Sequence, residues 1–123
     1  MGIGDIGYGL KTWFKKDVDN VEQEISSDET KLVFLQVTNK DSTDAFIQIF
    51  KEAAVDVTVG TTTPDQSYLV PAGDGTLYGA LVHEFKPGID CENGLTIACT
   101  TTEDGAIATS TALIVNILYL GGG

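Results

Sequence analysis

The stretch Thr111-Ala-Leu-Ile-Val-Asn-Ile-Leu-Tyr-Leu120 constrains the fold more than any other part of the chain. It is rich in β-branched residues, lies between threonines and glycines, and sets Leu113, Val115, Ile117 and Tyr119 on one face of an extended strand. The opposite face carries Asn116 between Ile114 and Leu118, so the first set is expected to point into a core. The run is short for a helix, and isoleucine and valine favour the extended state. It is also far too short to span a bilayer as a helix.

The same alternation recurs from Lys31 onward. Leu32 to Thr38 places Val33, Leu35 and Val37 on one face, and Asn39 to Asp44 then supplies loop residues. Ala45-Phe-Ile-Gln-Ile-Phe50 offers Ala45, Ile47 and Ile49 on one side and Phe46 and Phe50 around Gln48 on the other, which indicates a central strand or a subunit contact. Ala53 to Val59 reads as a short strand, with a helical turn at Lys51 to Ala54 as the alternative, and Gly60 to Asp65 breaks it. Ser67 to Ala72 is extended, and Pro71 belongs at a strand end or sheet edge because it cannot donate to a ladder. Thr76 to Phe85 reads as one strand with Leu77, Leu81 and Phe85 opposite Tyr78, Ala80 and Val82. Lys86 to Asp90 and Glu92 to Gly94 are expected turns, and Gly94 to Thr101 is a strand with Leu95, Ile97 and Cys99 facing the core. Glu103-Asp-Gly105 turns the chain into the final strand.

Seven or eight short strands at turn-marked spacing describe an all-β fold, an antiparallel β-sandwich of jelly-roll-like or Ig-like type. The Cys-Trp-Cys pattern of immunoglobulin domains is missing from the sequence. The first 29 residues differ in character. Tyr8, Leu10, Trp13 and Phe14 are interleaved with Lys11, Lys15 and Lys16, whereas Asp17, Asp19, Glu22, Glu24, Asp28 and Glu29 follow with only Val18, Val21 and Ile25 as apolar company. Residues 1–29 therefore read as an extended N-terminal arm, 30–120 as the sandwich and 121–123 as a flexible tail. The competing reading makes Gly9 to Phe14 the first strand, with Trp13 in the core.

Eighteen acidic residues against seven lysines, with no arginine, give a net charge of -11. A surface of that sign repels a phosphate backbone, and the bidentate recognition that arginine supplies is lacking, so nucleic acid is not an expected partner. The N-terminus lacks the basic and apolar regions of a signal peptide, and Ile6 stands where a myristoylation motif needs Ser or Thr. Synthesis in a cytoplasm with no membrane anchor is the expectation. Cys91 and Cys99 are then two free thiols, with a mutual bridge as the alternative.

No motif carries catalytic chemistry. Gly2-Ile-Gly-Asp-Ile-Gly7 matches GxGxxG formally, but no strand precedes it. His83 is the lone histidine, its neighbour Glu84 falls on the opposite strand face, and one histidine with two cysteines makes a poor zinc set. Asp17 to Glu22 begins like a calcium loop but has Val21 and Glu22 where an oxygen ligand and glycine are needed. Neither a cofactor nor a specific metal is expected; Asp17 to Glu29, Asp74 and Asp104 remain places for nonspecific divalent binding. Trp13, Tyr68 and Tyr78 are the aromatic residues available to a sugar-binding platform.

From Leu32 to Leu120 the chain resembles small β-sandwich virion proteins of tailed bacteriophages, among them the capsid cement or decoration proteins of cyanophages. The resemblance is carried by Val37-Thr-Asn39, Ala45 to Phe50, Gly60-Thr-Thr-Thr-Pro64, Tyr68-Leu-Val-Pro-Ala72, Asn93-Gly-Leu-Thr-Ile-Ala98 and Val115-Asn-Ile-Leu-Tyr119. It implies a non-enzymatic protein on the outer capsid surface of a virion, made in a bacterial host's cytoplasm, forming homotrimers and bound to the major capsid protein. On that reading Tyr8, Lys11, Trp13, Phe14, Lys15 and Lys16 form the arm's anchor on the shell. The alternative implied by the same sandwiches is a receptor- or glycan-binding module of a tail fibre or spike, with host-surface glycan as partner.

Overall fold

Alternating apolar residues produce eight strands in the computed structural model, which describes residues 9–74 and 76–121. In chain order they are β1 (Leu10–Val18), β2 (Gln23–Ser26), β3 (Thr30–Asn39), β4 (Ala45–Phe50), β5 (Gln66–Val70), β6 (Gly79–Cys91), β7 (Leu95–Thr100) and β8 (Leu113–Gly121). They form two four-stranded antiparallel sheets, ordered β1-β8-β3-β6 and β2-β7-β4-β5. Only the β4–β5 connection stays within one sheet; every other connection crosses between sheets. This strand order is that of a jelly roll.

The core lies between the sheets. Leu35 and Val37 of β3, Ile47 and Ile49 of β4, Leu95, Ile97 and Cys99 of β7, and Leu113, Val115 and Ile117 of β8 are all buried in one cluster, and Tyr119 packs against it. The final strand thus faces inward as its alternation predicts. β4 is a central strand covered on both sides: Ala45, Ile47 and Ile49 enter the main core, while Phe50 packs with Val57 and Ala98 on the outer face.

Four local expectations are corrected. In β3, Val33 is only half-buried and Leu32 takes the core position. Leu32 pairs with Tyr119 and Phe34 with Leu118, so Val33 is the extra residue of a β-bulge, and the strand's inward set shifts from Val33 to Leu32 across it. Residues 86–90 do not turn the chain back: β6 continues through them, with a register jump from Glu84 to Ile89 against Phe34 and Leu32. Ala53 to Val59 is not a strand but contains a 3-10 turn at Ala54–Asp56.

The fourth correction concerns residues 10–29, which are woven into the sandwich and do not form a separate arm. β1 pairs with β8 along an edge of the first sheet, β2 pairs with β7 along an edge of the second, and Val18 and Ile25 are buried in the core. The acidic stretch supplies few apolar residues, but both fall where a strand needs an inward contact. At the other end Gly121 closes β8 opposite Thr30; Gly122 and Gly123 lie outside the described residues.

Candidate functional site

Register brings four connections to one end of the sandwich. Val18 faces Leu113, Thr38 faces Ile114 and Asn39 faces Gly79, so segments 19–22, 40–44, 71–78 and 101–112 emerge together. Asp41 fastens three of them. Its side chain, with 3% of the residue exposed, accepts hydrogen bonds at Oδ2 from the Ser110 hydroxyl and the Thr111 amide, both at 2.8 Å. Oδ1 accepts from the Thr43 amide and hydroxyl at 3.2 Å, and the Asp41 carbonyl accepts the Gly73 amide at 2.9 Å. The Ser110 and Thr111 donors hold its carboxyl down at about 2. Asn20 adds a link to the fourth segment by donating its Nδ2 to the Ala106 carbonyl at 2.8 Å.

This pinned end presents exposed Val21, Leu77, Tyr78 and Ile107 among exposed Asp44, Asp74, Glu103 and Asp104. Asp74 is committed to its own turn: Oδ1 accepts the Leu77 amide at 2.6 Å and the Thr76 amide at 2.9 Å, and these donors lower its carboxyl. Among the described residues, no group of three or more His, Cys, Asp or Glu is placed to hold a metal ion.

The sequence-proposed anchor is divided by strand alternation. Lys11, Trp13 and Lys15 pair with Tyr119, Ile117 and Val115, whose side chains face inward, and Trp13 packs against the core. Phe14 points outward and is 61% exposed, with Lys16 exposed beside it. Tyr8 lies outside the described residues. Lys15 approaches Asp17 at 3.8 Å. Inward-pointing lysines on an edge strand also oppose pairing with a foreign strand.

The aromatic residues do not form one platform. Tyr68 stacks on His83 with centroids 5.3 Å apart, His83 meets Phe85 at 4.4 Å, and the Tyr68 hydroxyl donates to Gln66 Oε1 at 3.1 Å. Trp13 is on β1, at the opposite edge of its sheet from β6. His83 lies opposite Leu35 and is exposed, packed between Tyr68 of β5 and Phe85. Cys91 and Cys99 are free and buried; burial pushes the Cys91 thiol up to about 11 and raises Cys99 further, which leaves neither a nucleophile. A shallow concavity of about 230 Å³ is lined by Glu29, Thr30, Lys31, Asp90, Leu120 and Gly121, with Lys31 paired to Asp90 at 3.2 Å.

The largest feature that sequence reasoning missed is a sheet face. The chain roofs the outer side of β2-β7-β4-β5 itself. Phe50, Val57 and Ala98 cluster there, Thr96 donates to the Glu52 carbonyl, and Gln48 Nε2 reaches Thr100 Oγ1 at 2.7 Å and the Gly105 carbonyl at 2.9 Å. Among the described residues no corresponding segment lies over β1-β8-β3-β6. Its outward rows run Leu10-Leu120-Lys31-Asp90, Thr12-Leu118-Phe34-Glu84 and Phe14-Asn116-Gln36-Val82. The signal was present in Ile114, Leu118 and Leu120, which make the supposedly solvent-facing side of the last strand apolar.

No family model matches the sequence, and no curated protein matches it. Among solved structures the chain is similar to the coat protein dimer of Tobacco streak virus, with TM-score 0.43 and 12% identity over 94% of this chain and 87% of that one. A C2 crystal form of the Tobacco streak virus coat protein gives TM-score 0.40 and 11% identity over 94% of this chain and 88% of that one. Likeness at this level decides nothing about function, and the jelly-roll assignment rests on the strand order.

Proposed function

We propose that this chain is a structural, non-enzymatic component of a virus particle, a cement or decoration protein that binds the outer surface of a bacteriophage capsid and stabilises the shell. The observation that carries this reading is the jelly-roll strand order, an architecture used by viral capsid and lectin domains. The warrant is one of fold analogy. Three physical features support it: a filled core, loops tied together by a buried carboxylate, and an acidic surface that resists aggregation at high local density. The major capsid protein is the proposed partner, and the exposed Phe14 and Lys16, with Lys11 and Lys15 at the same edge, are its proposed contact.

The test is add-back of purified protein to particles made without it, followed by heating. Wild-type protein restores heat resistance to the particles, and Phe14→Ser with Lys16→Gln reduces binding. Deleting residues 1–16 is unsuitable because it removes most of β1. Unchanged heat resistance after add-back, or binding to host polysaccharide in place of capsid, refutes the proposal.

A further inference from the structure

We propose that the open face of the β1-β8-β3-β6 sheet is the site at which a second copy of this chain docks, face to face about a two-fold axis. The inference follows from charge, hydrogen-bonding capacity and area; Phe14 and Lys16 also belong to the proposed capsid contact, so the dimer is the form free of the particle and separates when the shell is bound.

Charge selects the face. The chain carries a net charge of -11, so most approaches between two copies bring like charges together. On this face the charged side chains are Lys16, Lys31, Lys86, Glu84 and Asp90, close to balance, and four of them already pair as Lys31–Asp90 and Lys86–Glu84. It is therefore a largely apolar plane without the acidic excess of the rest of the body, and a copy can meet it without acidic side chains crowding the contact.

The polar groups select the occupant. In the middle of the face Gln36 lies opposite Asn116 across the ladder between β3 and β8. Each amide both donates and accepts, so a row containing both can satisfy an identical row turned through a two-fold axis. An apolar partner surface would instead leave these amides unpaired, at a desolvation cost. Phe14 and Val82, 61% and 60% exposed, end the same row and supply its apolar contacts.

Area sets the size class of the contact. Four strands about 4.8 Å apart and four outward positions about 6.8 Å apart give a face of roughly 500 Å². Two such faces bury on the order of 1,000 Å², the lower bound for a specific interface, which is the size of a weak, reversible contact.

The experiment is sedimentation equilibrium of the full chain from about 5 μM to about 1 mM, a range in which a weak, reversible dimer forms. Wild-type protein is expected to pass from monomer to dimer, more readily on adding sodium chloride, which screens the repulsion between two bodies of charge -11. Phe14→Asp and Val82→Asp are each expected to raise Kd at least about tenfold by placing a carboxylate from each copy in the buried row. Both side chains are exposed, and near-ultraviolet circular dichroism checks that the variants fold. Val55→Asp, at an 89% exposed position on the roof of the other sheet, is expected to leave Kd unchanged. A protein that stays monomeric throughout overturns the proposal and leaves the face to a different protein or to this chain's own residues 1–8. So does a dimer unaffected by both aspartate substitutions, or one lost with Val55→Asp.

Discussion

Asp41→Asn tests whether one carboxylate holds the loop end together. The substitution preserves shape but replaces one acceptor oxygen with a donor group. At Oδ2 the nitrogen would face the Thr111 amide and the Ser110 hydroxyl; at Oδ1 it would face the Thr43 amide and hydroxyl. A hydroxyl can rotate, but a backbone N–H cannot, so one part-buried donor loses its partner in either orientation. That loss costs about 1–3 kcal/mol, and weaker bonds at the remaining neutral oxygen bring the total to about 2–3 kcal/mol. For a domain of this size the melting temperature should fall by roughly 6–10 °C. The pH dependence has a definite sign. The carboxyl sits at about 2 in the fold against an ordinary 3.8, so its stabilisation is present above 3.8 and is lost as pH falls through 3.8 toward 2. Urea unfolding of both proteins at neutral pH and near pH 3 should show the gap between them shrinking by about half at the lower pH. Equal stability at neutral pH, or a gap that widens in acid, would refute the role given to Asp41.

Three further outcomes follow from the packing. Leu32→Ala should cost about 2–5 kcal/mol and Val33→Ala less than about 1 kcal/mol in urea unfolding, because the bulge gives Leu32 the core position; the reverse order would contradict the bulge. Trp13→Ala should destabilise by at least about 1–2 kcal/mol, whereas Phe14→Ala should stay within about 0.5 kcal/mol of wild type by thermal melting, since only Trp13 packs on the core. A thiol reagent at mildly alkaline pH should leave both cysteines unmodified in the folded protein and titrate both in urea; rapid labelling of native protein would contradict the burial of Cys91 and Cys99.

The sandwich was legible because period-two alternation is strong in β3, β4, β7 and β8, whose inward residues the sequence names almost without error. Three features were not legible, each for a physical reason. A bulge changes register by one residue without any change in composition, so Val33 and Leu32 look alike in a linear pattern. Pro87 and Gly88 read as a turn, yet β6 absorbs them where its register with β3 jumps, close to the sheet edge where a missing donor is tolerated. Val18 and Ile25 seemed too sparse for core strands, but β1 and β2 are edge strands and need few inward contacts. The candidate interaction surfaces were partly legible. Phe14 and the lysines were singled out, but alternation sends Trp13 away from Phe14, and the open sheet face appears only when four strands that are distant in sequence lie side by side.

The central claim is that this protein works by position within a virus particle. Quantitative mass spectrometry of purified virus particles from cells that express its gene, combined with antibody labelling of intact particles, tests that claim most directly. The account predicts a fixed, high copy number relative to the major capsid protein and labelling over the outside of the head. Absence from purified particles, or a few copies confined to the tail, would contradict it.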